Sequence, residues 1–364
     1  MKKCMTLAYI SILIGSALAG CTQDNPDNPG NAVSDSKAIR FAPNTVYTRS
    51  GDITSSNLDK FQVYAYTETG TNPTLFMDNV TVSRTSSNTW VYSPLEYWPT
   101  VPVDFFAFAP AGNWAGAHGP FGTLTPYTDY PGDTDLVYAV SRDNTGNTNG
   151  QNAQVILNFR HALSKVCINL SSSDENIEVK VSNVVMVNIL TDGIFHFPSL
   201  STSPLSTDTN SVCSWTDLKS NATYIFHTSQ TPSERITLTT TPTDMSEIGH
   251  KMGGAKYMIP QELPYHSSLS DRDSYLAVMC SIYDTKSGLQ LWPNENTPPS
   301  NTVPGSTFKD GILEFPLSTS EFSGWQPGHY YIYNVTINSN PDMGAINFGM
   351  PTVEGFVNVE TTYQ

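Results

Sequence analysis

The stretch "AQVILNFRHALSKVCINL", residues 153–170, holds two apolar runs of strand character separated by a short polar junction. The Asn- and Gly-rich segment "SRDNTGNTNGQN", residues 141–152, precedes it, and such clusters mark turns and loops. We therefore expect this stretch to contain the last strand of one β-sandwich and the first strand of the next β-sandwich, with a domain boundary near residue 160.

Strand character extends in both directions from this junction. "LDKFQVYAY", residues 58–66, places Phe61, Val63 and Ala65 on one face of a strand and Tyr64 and Tyr66 on the other. No window of a dozen residues has a sustained helical period. Many short strands between turn signals predict an all-β fold of sandwich type. Further strand-like runs are "VDFFAFAP", "DLVYAV", "IEVKVSNVVMVNI", "GIFHF", "RITLTTT", "SYLAVMCSIYD", "ILEFPL" and "YYIYNVTI".

The N-terminus has the three parts of an export signal. Lys2 and Lys3 precede an apolar run, which ends in Leu18 and the small residues Ala19 and Gly20 before Cys21. The run is too short to span a membrane. The stretch "LAGC" resembles the lipobox of bacterial lipoproteins, which implies cleavage before Cys21 and acylation of its thiol. Ordinary secretion with a chance cysteine is the alternative.

Four segments follow from this signal. We expect a lipoprotein signal peptide at 1–20, an acylated flexible tether at 21–36, an N-terminal β-sandwich at 37–160 and a C-terminal β-sandwich at 161–364. The tether, rich in Asn, Asp, Pro, Gly and Ser, has the composition of a linker. Without the signal, 344 of the 364 residues remain, a length that suggests two domains.

Charge and cysteine content restrict the function classes. The net charge is −15, and it becomes −17 when Lys2 and Lys3 leave with the signal. So acidic a surface argues against nucleic acid and against electrostatic adhesion to anionic lipid. Beyond Cys4 and Cys21 the chain has Cys167, Cys213 and Cys280, an odd number that permits one disulfide and requires none.

Enzymatic and metal-binding motifs are not evident. The sequence has no P-loop, no G-x-S-x-G and no H-E-x-x-H, and its seven histidines lack metal-ligand spacing. Asp129, Asp133 and Asp135 could hold Ca²⁺, but their spacing differs from an EF-hand loop and an acidic turn is the favoured interpretation. Paired glycosidase carboxylates would meet only in the fold. We predict a protein that is not an enzyme, with no cofactor and no metal.

Aromatic residues concentrate before residue 110. Rings next to prolines on a strand surface can stack on sugars, so Trp90, Trp98 and Trp114 are candidates for a glycan-binding surface. Aromatic residues more often form the core, because each ring buries a large apolar area.

Six motifs in series resemble one known family. They are W-x-Y…Y-W-P from Trp90, D-F-x-A-x-x-P from Asp104, "DLVYA" at 135–139, "LNFRHALSKV" at 157–166, "MIPQEL" at 258–263 and "WQPGHYYIYNVTI" at 325–337. Their order and spacing resemble the fimbrillin-like families of Bacteroides-type bacteria over essentially the whole mature chain. The resemblance implies two transthyretin-like β-sandwiches and a type V pilin-like subunit, exported as a lipoprotein and assembled outside the outer membrane.

The resemblance also implies a maturation step. In relatives that polymerise, a trypsin-like protease cuts after an arginine, and the departing N-terminal strand leaves a groove for a neighbour's strand. Arg49 matches the family's Thr-Arg position, and Ile39 and Phe41 form one face of the strand that would be displaced. Arg49 as an uncut loop residue is the alternative, and Arg40 is a weaker candidate for cleavage because a cut there would split the strand.

A donor strand is expected in the 27 residues after Ile337. Ile346 and Phe348 lie on one face of a first run, and Val353, Val357 and Val359 lie on one face of a second. Both runs could instead be ordinary final strands. Family relatives often carry a Trp near Phe356, so its absence here leaves the register open.

These observations together favour a structural subunit of surface fimbriae at the cell outer membrane. Its expected partners are other fimbrial subunits, the outer membrane through the lipid, an arginine-specific protease, and ligands on host or bacterial surfaces, with no nucleic acid. A surface glycan-binding lipoprotein of β-sandwich type is the alternative.

Overall fold

The chain folds into β-strands arranged in three sheets. The computed structural model describes residues 38–45, 52–54, 56–69, 72–110, 123–146, 154–203, 209–245, 255–264, 274–339 and 351–355. The expected all-β class is confirmed: in these ranges the helical elements are three short 3₁₀ turns, at Thr209–Ser211, Pro232–Glu234 and Pro299–Asn301.

Nineteen strands are numbered in chain order within these ranges. They are β1 Arg40–Thr45, β2 Lys60–Thr69, β3 Asn72–Arg84, β4 Trp90–Val91, β5 Val103–Ala109, β6 Thr123–Thr128, β7 Val137–Asn144, β8 Gln154–His161, β9 Ser164–Ser172, β10 Ile177–His196, β11 Ser214–Thr228, β12 Ile236–Leu238, β13 Thr243–Asp244, β14 Lys256–Met258, β15 Tyr275–Asp284, β16 Gln290–Trp292, β17 Gly311–Pro316, β18 His329–Ile337 and β19 Thr352–Gly355.

The first sheet has the order β1-β8-β7-β5-β2-β3-β4. All its pairs are antiparallel except β1 with β8, which is parallel. Both faces of its central strands are buried, as the uniform burial of β5 shows. The alternation expected for β2 is confirmed, because Phe61, Val63 and Ala65 belong to one apolar cluster while Tyr64 and Tyr66 belong to another.

The second and third sheets form a sandwich over a shared core. The second sheet runs β11-β10-β15-β16, with β6 and β12 also on β10 and β17 on β15. The third runs β13-β9-β18-β19, with β14 also on β9. Their core combines side chains of β9 and β18 with side chains of β10 and β15, among them Val166, Tyr333, Val181 and Val278. Such face-to-face burial of two apolar faces is the usual way that sheets are stabilised.

A third apolar cluster joins the first sheet to the later strands. Tyr64, Phe106 and Tyr138 from the first sheet pack with Phe195 of β10 and Tyr257 of β14. In addition, β6, which precedes residue 160, pairs with β10 in the second sheet. Although β8 and β9 do lie in different sheets, a division of the chain at residue 160 stays a prediction.

Candidate functional site: the N-terminal edge strand

Strand β1 lies at the edge of the first sheet and has one strand partner among the described residues. Its residues Arg40 to Thr45 pair in parallel with Gln154 to Phe159 of β8. On its other side the chain just before β1 is held by a loop: Ile39 N–H donates to Glu96 O at 2.9 Å, and the Tyr92 hydroxyl donates to Ile39 O at 3.0 Å. An edge strand of this kind can leave a sheet without breaking a ladder on both sides.

The inward face of this segment is part of the core. Ile39 is 1% exposed and Phe41 is 5% exposed. The Phe41 ring makes edge contacts with Phe61, Tyr92 and Phe105, with centroid distances of 6.0, 5.5 and 5.7 Å. Burial of an Ile or Phe side chain contributes about 1.5–3 kcal/mol each. Loss of this segment would therefore open an apolar groove.

An open cavity already flanks β1. It has a volume of about 340 Å³ and is bounded by residues 39–43 on one side and by residues 88–92 with Leu95 on the other. The first sheet is therefore not closed between β1 and β4 by a hydrogen-bonded ladder, as its strand order also shows. The groove that holds β1 is accessible from this side.

A buried polar cluster fixes the chain a few residues after β1. Asp52, which is 1% exposed, accepts hydrogen bonds from Lys165 Nζ at 2.7 Å and from the Tyr257 hydroxyl at 2.5 Å. Next to it, Ile53 N–H donates to Asp135 Oδ2 at 2.9 Å, and Asp135 also pairs with His161 Nδ1. We call Asp52, Lys165 and Tyr257 the Asp52 cluster.

The positive charge of Lys165 and the hydroxyl of Tyr257 both stabilise the negative charge of Asp52. Burial, followed by the charges of Asp135 and Asp52, raises the pKa of Tyr257, so its hydroxyl keeps the proton that it donates to Asp52. The Lys165 ammonium also lies over the rings of Tyr257 and Tyr330, at 5.7 and 5.3 Å from their centroids. A fully buried ion pair needs such added hydrogen bonds and contacts to offset its desolvation. The chain at residue 52 is thus tied to the third sheet, whereas β1 belongs to the first.

The structure describes only some of the residues that the sequence analysis singled out. Ile39 and Phe41 lie in the edge segment described above. Val353 lies in β19, which pairs antiparallel with β18 and is the last strand at that edge of the third sheet, so this run has a partner within the chain. The remaining candidates, namely Cys21, Arg49, Ile346, Phe348, Val357 and Val359, lie outside the described residues.

Each of the three aspartates considered for Ca²⁺ has its own partners. Asp129 accepts hydrogen bonds from the Tyr224 hydroxyl and from Ile259 N–H, Asp133 pairs with Lys256, and Asp135 pairs with His161. In the described part of the chain, no three His, Cys, Asp or Glu side chains are grouped as metal ligands.

Two of the three tryptophans considered for glycan stacking pack against the first sheet's core. The Trp90 ring lies 5.1 Å from that of Phe61, and the Trp98 ring lies 6.0 Å from that of Phe105. Both are half-buried. The third, Trp114, lies outside the described residues. Cys167, Cys213 and Cys280 are buried thiols.

The fold and the edge strand define a class, namely all-β proteins in which an edge strand near the start of the described chain contributes buried side chains to the core. A family model described as fimbrillin-like matches residues 48–355, and the chain therefore belongs to the fimbrillin-like family. The matched region begins just after β1. The resemblance deduced from the six motifs is confirmed, and the membership implies a structural surface protein rather than a member of an enzyme family.

A solved structure has a similar fold. A fimbrial protein from Bacteroides vulgatus ATCC 8482 superimposes with a TM-score of 0.55 at 17% identity, covering 88% of this chain and 100% of that chain. At that identity the similarity concerns the fold alone.

Two further similarities are weaker. A fimbrial assembly protein from Parabacteroides distasonis ATCC 8503 has a TM-score of 0.36 at 12% identity, covering 87% of this chain and 96% of that chain. A candidate cell adhesion protein from the same strain has a TM-score of 0.47 at 11% identity, covering 89% and 98%. No curated protein matches the sequence. Among the described residues no helix has the length and apolar character needed to cross a membrane.

Proposed function

We propose that this chain is a structural subunit of surface fimbriae, exported as an outer-membrane lipoprotein and assembled by protease-triggered strand exchange. Its partners are other fimbrial subunits, of its own or a related kind, and the finished fibre contacts host or bacterial surface ligands. The observation that carries the proposal is that Ile39 and Phe41, which belong to an edge segment upstream of Arg49, are buried.

The physical basis is the instability of a sheet that has lost this segment. Removal of β1 leaves one side of β8 with unpaired N–H and C=O groups and leaves the Phe41 site between three aromatic rings empty. An incoming strand supplies both ladder hydrogen bonds and side chains for the vacated sites. A cut subunit is therefore driven to bind a strand of another molecule.

Arg49 is well placed in the sequence for such a cut. It lies between β1, which ends at Thr45, and Asp52, which is fixed to Lys165 and Tyr257. Cleavage after Arg49 would separate the strand from the cluster that holds the following chain. The new N-terminus, Ser50, would stay two residues from a buried anchor while β1 becomes free to dissociate.

The lipid belongs to the same scheme. Cys21, carrying fatty acyl chains such as palmitate, would hold the precursor at the outer membrane, because two or more acyl chains give stable anchoring. Since Cys21 and β1 lie on the same side of Arg49, cleavage would leave both in one fragment and release the remaining chain for assembly. The donor would come from the C-terminal region that contains Ile346, Phe348, Val353, Val357 and Val359.

Limited proteolysis of the mature chain with an arginine-specific protease tests this proposal. We expect one early cut, a new N-terminus at Ser50 by mass spectrometry, and then a ladder of multimers on gels and by native mass spectrometry. The Arg49→Ala variant is the matched control and should remain monomeric. A chain that is cut after Arg49 and stays monomeric at high concentration, with the β1 fragment still bound, would refute assembly by strand exchange.

A further inference from the structure

The segment that forms β1 has a near-copy in the C-terminal tail. Residues 38–43 read "AIRFAP" and residues 345–350 read "AINFGM". The pattern Ala-Ile-x-Phe followed by a small residue occurs at these two places in the chain. The first copy is the strand whose departure is proposed above, and the second lies in the region from which a donor would come.

The positions that the two copies share are those that the groove buries. Ala38 and Ile39 are each 1% exposed and Phe41 is 5% exposed, and the second copy repeats Ala, Ile and Phe at these positions. The positions that differ are half-buried: Arg40 corresponds to Asn347, and Ala42 to Gly349. A groove selects a strand by the side chains in its alternate inward sites. The second copy therefore supplies the inward side chains that the β1 groove already accommodates.

We propose that residues 345–350 of a second copy of this chain occupy the β1 groove in the register of β1 itself, parallel to β8. Ile346 takes the place of Ile39, and Phe348 takes the place of Phe41 between Phe61, Tyr92 and Phe105. This inference rests on the proposed strand exchange and specifies which tail residues carry it. The later valine run is the poorer candidate, since it offers no aromatic ring at the matching position and its Val353 is already paired in β19.

The direction of β18 explains why the donor enters another molecule. Gly328 N–H, just before β18, bonds to Leu163 O beside the β8–β9 connection, and Tyr330 pairs with Lys165. The strand then runs parallel to β9 until Ile337 pairs with Ser172. Strand β18 thus ends at the opposite end of β9 from the β8–β9 connection. Once β19 has left β18, the tail extends from that end. A head-to-tail contact of this kind generates an open fibre whenever its rotation does not close a ring.

The tail is long enough for this role. Ile346 follows Ile337 by nine residues, and an extended chain covers about 3.3 Å per residue. Once β19 has been released, an extended tail can therefore place the donor segment up to about 25–30 Å beyond the end of β18. This distance lets the body of one subunit rest against the next while its tail lies in the neighbour's groove.

The register gives a direct test by disulfide cross-linking. In β1, Arg40 is paired with Gln154 of β8, so Asn347 of an incoming strand should face the exposed Gln154 of its acceptor. Paired positions in neighbouring strands lie within the range that a disulfide spans. We would mix two variants of the mature chain, Asn347→Cys and Gln154→Cys, each cut after Arg49, and oxidise them. The native Cys167, Cys213 and Cys280 are buried and leave a low background.

We expect a disulfide-linked dimer of Asn347→Cys with Gln154→Cys, identified by mass spectrometry of the joined peptides. The matched control is Asn358→Cys, the same residue type in the later run, which should give at least tenfold less product. Phe348→Ala should reduce multimer formation at least tenfold, whereas Phe356→Ala should leave it nearly unchanged. A cross-link from Asn358→Cys instead, or multimers unaffected by Phe348→Ala, would overturn the register while leaving strand exchange intact.

A peptide separates this inference from the proposed function. A labelled peptide of residues 343–352 should bind the chain cut after Arg49 and should not bind the uncut Arg49→Ala variant. If the cut chain forms no multimers but binds this peptide, the groove match holds and the fimbrial assembly fails. If it binds a peptide of residues 351–362 in preference, or neither peptide, the match is wrong.

Discussion

Lys165 Nζ lies 2.7 Å from Asp52 Oδ1, and the two residues are 113 positions apart in the sequence. Both side chains are buried, at 7% and 1% exposure. The pair joins the segment after β1 to β9 of the third sheet. From Asp52 onward, the chain is therefore held by contacts that do not involve β1.

Replacement of Lys165 by Met should destabilise the protein by about 3 kcal/mol, because it leaves the Asp52 carboxylate buried without its counter-ion. Urea unfolding measures this loss. Lys180→Met is the control, since its pair with Glu178 is more than a third exposed and should contribute less than about 1 kcal/mol. The double variant Lys165→Met with Asp52→Asn should recover part of the stability. If the two single lysine variants lose equal stability, the Asp52 cluster contributes no more to the free energy of unfolding than an exposed ion pair does.

Replacement of Phe41 by Ala should weaken the hold of β1 without disturbing the later sheets. The substitution removes contacts with three rings and should cost about 3 kcal/mol. After cleavage at Arg49, the β1 fragment should dissociate faster, which size-exclusion chromatography over time can follow. Ile156→Ala in the neighbouring β8 is the control, because Ile156 is 54% exposed and should matter little. Unchanged dissociation in the Phe41 variant would mean that this side chain does not retain the strand.

Asp129 should make the stability depend on pH. Burial is the main cause that raises the pKa of this carboxyl from 3.8 to about 7, against hydrogen bonds from Tyr224 and Ile259 that lower it. A group whose pKa is raised on folding stabilises the fold most at low pH, and this contribution is lost as the pH rises through the folded value. Between pH 5 and pH 8 the loss should be about 3 kcal/mol.

Urea unfolding at half-unit steps from pH 5 to pH 8 measures this dependence. The Asp129→Asn variant cannot ionise, so its stability should vary less over the same range. Its amide oxygen can still accept from Ile259 N–H, and its amide N–H can donate to the Tyr224 hydroxyl. Asp133→Asn, which alters the exposed partner of Lys256, is the control and should keep the wild-type slope. A wild-type profile parallel to that of Asp129→Asn would rule out Asp129 as the source.

The sequence predicted strands where burial follows a simple alternation. In β8 every second residue is buried, and β5 is buried throughout and apolar except for Asp104, so both were evident. Strand β11 was not predicted, because most of its first ten residues are exposed and "SWTDLKSNAT" has no apolar period. Strand β11 forms because it pairs with β10 along its length, whereas its own side chains have no pattern that predicts a strand.

Non-local relationships were harder to predict. The burial of Ile39 and Phe41 follows from their alternation, but the parallel pairing of β1 with a strand more than a hundred residues later does not. The Asp52 cluster was missed for the same reason, since Asp52, Lys165 and Tyr257 lie far apart in the sequence. Val353 was considered either as part of a donor strand or as part of an ordinary final strand. In the single chain it lies in an ordinary final strand, where it pairs with Tyr331 of β18.

The position of β19 leads to a prediction about how the tail is released. In the single chain, residues 338–351 connect β18 to β19, and both strands belong to the third sheet. A connection fixed at both ends can extend only as a doubled loop, so its reach is about half that of a free tail. Release of β19, whose ladder has four paired positions, should therefore precede insertion of the segment into a neighbour.

A disulfide between Ile332→Cys and Thr352→Cys, which face each other across β18 and β19, should hold the tail in place. After cleavage at Arg49, the oxidised variant should form at least tenfold fewer multimers than the wild type, and addition of a reductant should restore assembly. Each single cysteine variant, treated identically, is the control for oxidation itself. If the oxidised double variant assembles as fast as the reduced one, β19 stays on β18 in the fibre and the donor must enter the neighbouring groove as a loop.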